Sequence, residues 1–584
     1  MRLTGLAILF LMSATSASAA DYIRVTVSCP GVDASTFDRT LLVPIYEQIN
    51  GIEGLLRVET EAWNDGSGTA CVYFLPKTDL NLAEVRVQNR VNLALSKQPD
   101  AGRRVSASVQ RSSAGPSQFW FALSSDDPDH SEKFLNEFAV MNVKSACRQV
   151  VGVSDVKVIG HSDYEVQLEL NPQRLAAYKL MATDVVNALR KENSLVGAVG
   201  AINGLPAHDA FTASRGLIMP WDFDSLILRA DADGELLRLK DVANYERGIR
   251  TRGFARHNGK PVALIEVTTL PRRVTVDQLL DDVIKCLNPG LSFVCLTDRS
   301  TDNLVSVEVR LSAGSTLQQT EKSVAQVTER ILGLSGKPTV FAFAEDREPN
   351  LAKVFVKVGP EAGPSAAQVN KVLADISGAT IRVGDVPRGE QAFPVRIAVV
   401  DPAEFREPSE EGEQKCRKAV ELVLETLEAN EEVVAPEAFP MSSSTQHIIE
   451  PDVQLCAQLG VERADLFTTL QASLGGIHAT DFFRFGVTYP VRVLTDPKFN
   501  RSVDDLSKLA VRSANNELVP LDKLITIRES SMTVPVTRVN GMRSIVISAA
   551  AAPGTTSTQA AAKCGVLAWQ VLPHQYKAID LTGP

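Results

Sequence analysis

The chain repeats itself at a fixed offset. Val25 is matched by Val307, Leu239 by Leu521, and Arg256-His257-Asn258-Gly259 by Arg538-Val539-Asn540-Gly541, each 282 residues further on. One spacing held at three separated places makes internal duplication the first fact any fold must satisfy. It predicts two similar halves related by a pseudo-twofold. The length agrees, because 584 residues exceed what one hydrophobic core organises.

Each half switches between two hydrophobic periods, about 2 for strands and about 3.6 for helices. Residues 22–111 read βαββαβ. Ile23, Val25 and Val27 alternate, and Leu41, Ile45 and Ile49 stripe a helix over 34–50. Strands Leu55–Trp63 and Thr69–Leu75 flank the turn Asn64-Asp65-Gly66-Ser67-Gly68. A second helix carries Leu82, Val85, Val87, Val91 and Leu95, and Val105–Val109 closes the unit. A second unit opens over 118–170, with a helix at 131–149 and strands Val153–Ile159 and Tyr164–Leu170. It resumes after the hairpin turn Asn258-Gly259 with Val262–Val267, a helix over 274–286 and Leu291–Leu296. Residues 171–255 therefore read as an insertion. From 304 onward the plan returns: helix 316–332, strands 338–344 and 352–358, helices 364–376 and 409–428, the turn Asn540-Gly541, helix 556–570 and strand 576–581. The fold class read from this pattern is α+β, with tandem ferredoxin-like (βαββαβ) units in two pseudo-symmetric halves, each carrying an insert. The seam between the halves is Phe293–Leu311, where two strands flank the polar run Thr297-Asp298-Arg299-Ser300-Thr301-Asp302.

Composition narrows the partners. Lys+Arg 60 against Asp+Glu 70 gives a net charge of −10, which argues against nucleic acid. Arg2, the apolar run Leu6–Met12 and Ala17-Ser18-Ala19 before Ala20 read as a signal peptide over 1–20. That apolar run is shorter than a bilayer span, and no other run approaches one, so the expectation is an exported chain of the periplasm. The eight Cys form no metal pattern; disulfides and buried free thiols both fit, with Cys29–Cys71 the pair to test first. The seven His include no helical metal pair, and Gly197–Gly204 lacks the Lys-Ser/Thr of a phosphate loop. No nucleophile–base signature is present, so neither an enzyme nor a cofactor is expected.

A set of landmarks in fixed order is more specific. Gly152-Val153-Ser154-Asp155-Val156 leads to Gly160, Tyr164 and Leu170-Asn171-Pro172, then Leu175, Tyr178, Asp184-Val185, Ala188-Leu189 and Asn193. The second half has Gly460-Val461, Asp465-Leu466, Phe482, Val519-Pro520-Leu521, Arg538-Val539-Asn540-Gly541 and Ala552-Pro553-Gly554. Together these resemble the periplasmic portion of resistance-nodulation-division (RND) efflux permeases of the AcrB/AcrD/AcrF type. The resemblance covers about residues 22–584. It implies four porter subdomains, at 22–113, 114–170 with 256–298, 303–392, and 393–450 with 538–584. It implies docking subdomains at 171–255 and 451–537, and at 299–302 a junction where the family has a membrane bundle. No residue corresponds to the membrane carboxylates and lysine that carry protons in the family. The expectation is therefore a relative or component of an efflux transport system that does not pump by itself. Implied partners are an RND permease, a periplasmic adaptor or an outer-membrane channel, a homotrimer, and amphiphilic small molecules. The alternative is a stand-alone periplasmic binding or scaffold protein.

The resemblance also implies a drug-type pocket. Its matching positions are Phe119 or Trp120, Ile159, Phe341, Phe343 and Phe355, which suit an amphiphile. The same residues read equally as strand core. Where the family has a Gly/Phe-rich loop, this chain has the charged segment Ala344-Glu345-Asp346-Arg347-Glu348-Pro349.

Overall fold

A computed structural model describes residues 22–29, 32–97, 105–112, 118–125, 127–160, 162–192, 198–200, 211–213, 222–230, 235–251, 253–269, 291–296, 304–312, 315–346, 348–357, 365–386, 394–401, 410–440, 443–484, 487–533, 535–552 and 554–582. The signal peptide (1–20), the helix expected over 274–286 and the junction 299–302 lie outside the described residues. The chain is a mixed α and β structure in two compact units. One comprises the residues up to Gly160, Gly253–Ser443 and Thr533 onward; the other is His161–Arg252 with Ser444–Met532.

The first unit contains three main sheets. A long sheet runs in the order Lys577–Asp580, Val395–Val400, Met542–Ala551, Val536–Val539, Leu55–Ala62, Ser67–Phe74, Tyr22–Ser28, Ser106–Ser112, with Val433–Phe439 also paired to Met542–Ala551. A six-stranded sheet runs Lys260–Pro261, Gly253–His257, Thr339–Glu345, Leu351–Lys357, Leu304–Leu311, Ala379–Val386. A four-stranded sheet runs Leu291–Cys295, Gln118–Ser125, Ala263–Thr269, Val153–Ile159. The alternation read in the sequence becomes burial: Val25 and Val27, and their repeats Val307 and Val309, are fully buried.

Helices cover the sheets and are capped by local chemistry. Asp33 accepts from the N–H groups of Ser35 and Thr36 at 3.1 and 3.0 Å. Thr316 with Gln319, and Thr556 with Gln559, form capping boxes at the starts of Leu317–Leu332 and Ser557–Val571. Two helices expected as continuous are interrupted. Asp38–Leu42 and Ala139–Val143 each form a π-helical turn. At the first, Asp38 is held against Arg538, 500 residues away, a contact that no local propensity encodes.

The repeat appears as two equivalent strand crossings. Gly253–His257 pairs with Thr339–Glu345 of the six-stranded sheet, and Val536–Val539 pairs with Leu55–Ala62 of the long sheet. The first of these strands thus joins strands of the second half, and the second pairs with a strand of the first half in a sheet that both halves share. Each ends in an Asn-Gly turn, with φ of +50° and +81° at Asn258-Gly259 and +50° and +78° at Asn540-Gly541. Such angles define the tight hairpin turn that favours Asn-Gly. Asn258 brackets Val340: its side-chain oxygen accepts from the Val340 N–H at 2.8 Å, and its own N–H donates to the Val340 carbonyl at 2.8 Å. Asn540 brackets Val58 in the same way, at 2.9 and 2.8 Å. Gly253 lies so close to the Ala344 carbonyl that a Cβ there would collide with it.

The second unit draws a sheet from both halves. Val487–Thr495 runs parallel to Ser162–Leu170 with Val491 opposite Val166, flanked by Ala243–Thr251 and Ile477–Arg484. Leu239 and its repeat Leu521 each begin a short 3-10 turn and are both buried. Of the Gly-rich segment Gly197–Gly204, Ala198–Gly200 pairs with Phe211–Ala213, and its remaining residues lie outside the described ones.

No disulfide joins Cys29 and Cys71, so the pairing singled out for a first test is not formed. Register is the reason. Cys71 stands opposite Arg24, and Cys29 lies five positions further along that strand. At about 3.4 Å per residue this separates the two far beyond the roughly 7 Å that a disulfide tolerates between Cα atoms.

Candidate functional site

The four-stranded and six-stranded sheets meet at one hydrophobic cluster. Strand alternation selects its members. On Gln118–Ser125, Phe121 and Leu123 pack into a cluster with the helical residues Leu135, Phe138 and Val143, whereas Trp120 and Ala122 belong to the opposite face. On Val153–Ile159, Val156 and Val158 join the first cluster and Ile159 the second. On Thr339–Glu345 and Leu351–Lys357, Val340, Ala342, Val354 and Val356 face the sheet's own helices, while Phe341, Phe343 and Phe355 face the other sheet.

Five of the six candidate residues therefore come together: Trp120, Ile159, Phe341, Phe343 and Phe355. Trp120 lies 5.2 Å from Phe343 and 6.3 Å from Phe355 between ring centroids, and Phe343 lies 6.1 Å from Phe355. These are the spacings of favourable aromatic pairs. Phe341 and Ile159 are fully buried, and Trp120 and Phe355 are partly open. Phe119 is next to Trp120, its backbone opposite Val267, and its side chain lies outside what the structure describes.

A polar margin completes the face. Glu266 stands in register between Trp120 and Lys157. Burial pushes its carboxyl above the ordinary range, and the Glu345 charge adds to this while Lys157, Arg24 and Lys353 pull it down. Lys157 donates to Glu345 at 2.6 Å. His257 stacks on Phe341 at 4.5 Å; burial, with Lys260 nearby, holds its imidazole below the usual value and so neutral at pH 7. The face thus offers aromatic surface beside a half-buried carboxyl, an arrangement suited to an apolar ligand with a polar or cationic head. Sequence reading missed Glu266 and His257. The available signal was a lone Glu within the apolar strand Ala263–Thr269.

The seam residues enter the same cluster. Leu296 and Leu304, which flank residues 297–303, both pack in it. A separate cleft of about 420 Å³, counting the solvent open to it, lies near the start of helix Glu410–Glu428. It is lined by Asp401, Glu413, Cys416, Thr537, Arg543 and Ser544 among others, and shares no residue with the aromatic face. Among the described residues, no group of three or more His, Cys, Asp or Glu could hold a metal ion. No described helix is long and apolar enough to cross a membrane.

Two halves with one plan and an aromatic face between two sheets define a duplicated chain of mixed α and β structure. Sequence comparison makes this particular. The AcrB/AcrD/AcrF family profile matches residues 17–301 and again 286–582, and the chain belongs to that family. It is 33% identical over 249 residues to the multidrug export protein AcrF of Escherichia coli, an alignment covering 41% of this chain and 24% of that one. It is 30% identical over 252 residues to the multidrug resistance protein MdtF of the same species, covering 42% and 24%. It is 30% identical over 280 residues to the toluene efflux pump membrane transporter TtgB of Pseudomonas putida, covering 46% and 26%. The alignments thus span about a quarter of the curated relatives they match.

Proposed function

We propose that this chain is a non-enzymatic component of an RND-type efflux system, acting in the periplasm and binding amphiphilic molecules without pumping them itself. In this reading the first unit consists of four ferredoxin-like porter subdomains, and the second unit supplies the docking surface for a permease, an adaptor, an outer-membrane channel or further copies. The observation that carries the reading is the aromatic face of Trp120, Phe343 and Phe355, bordered by Glu266, in a chain whose two halves both match the efflux family.

Affinity capture from cell envelopes tests the assembly. Recovery of an efflux permease, adaptor or channel supports it, and recovery of none of them sinks it. Ligand binding is tested separately with ethidium, an aromatic cation, followed by its fluorescence. Phe343→Ala should weaken binding about tenfold, roughly 1.4 kcal/mol. Equal affinity in the variant would remove the face as the site.

A further inference from the structure

The charged segment after Phe343 is tied down from several sides. Glu345 pairs with Lys157 at 2.6 Å, the Leu351 N–H donates to the Glu348 carbonyl at 3.0 Å, and the Pro349 carbonyl accepts from the Thr320 hydroxyl at 2.5 Å. Glu348 then meets Arg310 at 3.8 Å, an ion-pair contact longer than a hydrogen bond.

Arg310 belongs to an ionic chain linking the six-stranded sheet to strands Val433–Phe439 and Met542–Ala551. Its Nε lies 3.4 Å from Glu437, and its guanidinium sits 4.4 Å from the centre of the Phe439 ring. Arg382, buried, carries the same link further. It pairs with Glu308 at 3.0 Å and Glu437 at 2.8 Å, and donates to the carbonyls of Ala435 and Ser548 at 2.8 and 3.0 Å. A register irregularity between Val434 and Glu437 accompanies this arrangement. Ala435 there has φ of +49°, a costly conformation for a residue that precedes proline.

The two arginines differ in what competes for them. Arg382 is hydrogen-bonded by its two terminal nitrogens to partners on both sides of the interface. Arg310 is shared between Glu437 and Phe439 on one side and Glu348 on its own. Ionised Glu348 draws the Arg310 guanidinium towards itself and away from Glu437 and Phe439; neutral Glu348 leaves it to them. We propose that Glu348 and Arg310 form a proton-operated latch between the six-stranded sheet and strands Val433–Phe439 and Met542–Ala551, closed when Glu348 is neutral and loosened when it ionises.

The charges bearing on Glu348 come from every packed strand. Burial is the largest influence and raises its carboxyl to about 7; Arg310 and Lys353 pull it down, while Glu61 and Glu308 push it up. Arg382 and Glu437 lie one contact further along the chain. In the closed arrangement the carboxyl thus holds its proton more readily than an ordinary glutamate does. Its stabilisation is present below the ordinary 4.5 and is lost as pH rises through about 7. If the open interface restores the ordinary value, the closed-to-open ratio falls about tenfold between pH 6 and pH 8.

Hydrogen exchange of the full chain tests this, read at Ala379–Val386 and Val433–Phe439 and corrected for intrinsic rates. Wild-type protection in both segments should fall about tenfold from pH 6 to pH 8. Tyr22–Ser28, in a sheet region away from the latch, should keep its protection. Glu348→Gln should hold both segments at the pH 6 level throughout, and Glu345→Gln should behave as wild type. The latch is overturned if wild type shows no difference or if Glu348→Gln retains the full difference. It is equally overturned if Glu345→Gln abolishes the difference, or if Tyr22–Ser28 changes in step.

Discussion

The two strand crossings share a backbone device and differ in chemistry. At both, an Asn-Gly turn brackets the main chain of a Val, and Val340 stands 282 residues after Val58 just as Asn540 stands after Asn258. Beyond the turn they part. Val536–Val539 continues through its hairpin into Met542–Ala551, so the long sheet is unbroken. Arg538 there is buried against Asp38, each side chain 2% exposed, at 2.8 Å. In the first half only Lys260–Pro261 pairs back after the turn, and the longer strand that follows, Ala263–Thr269, belongs to the four-stranded sheet. Val262 turns into the aromatic cluster that fills the space between the sheets. Arg256, the repeat of Arg538, reaches Glu132 at 2.9 Å and also Glu321, all three partly open to water. Thr320 stands where the repeat would place Asp38, and the neighbouring Glu321 takes its role, on a helix without the π turn. The comparison teaches that backbone register is inherited as a unit, while the side chains behind it are free to diverge.

The largest tests act on what fills each crossing. Asp38→Ala strands the buried Arg538 charge and should cost about 3–5 kcal/mol in urea unfolding. Burial raises the Asp38 carboxyl despite the opposing pull of Arg538, so desolvation outweighs attraction in this pair. Adding Arg538→Met to Asp38→Leu should therefore recover most of the loss. Phe341→Ala at the other crossing should also cost about 3–5 kcal/mol, through an unfilled cavity. A second substitution that removes a charge has nothing to restore there. Recovery at Phe341 by such a change, or its failure at Asp38, would break the distinction.

A smaller effect is expected at the turns. Asn258→Ala and Asn540→Ala each leave a backbone N–H without its side-chain acceptor and should cost about 1–2 kcal/mol. The two losses should agree closely, since the geometry is shared; a large disparity would show that the crossings are not equivalent. Smallest of all is Arg256→Ala, at about 1 kcal/mol or less, because its ion pairs are partly hydrated. Raised salt should shrink that effect further while leaving the Asp38 effect nearly unchanged.

Much of the strand order was legible because alternation is local. Val25-Thr26-Val27 and Val307-Glu308-Val309 announce a half-buried strand without reference to anything distant. The candidate aromatics followed from the family's motif order. Less was legible where a contact joins residues hundreds of positions apart. The π turn at Asp38 answers Arg538, and the Glu348–Arg310–Glu437 chain joins a loop residue to strands of two sheets. Cys29 and Cys71 show the same limit: strands Tyr22–Ser28 and Ser67–Phe74 do pair, but register decides whether two thiols meet.

The sequence by itself determined the duplication, the family and the face on which each strand residue would lie, because period and offset are properties of the chain. Only the tertiary structure decided that one crossing would be sealed by a buried ion pair and the other by aromatic rings. That choice depends on which sheets are brought together and how far each excludes water. Desolvation and packing arise between distant segments, and no local pattern specifies them.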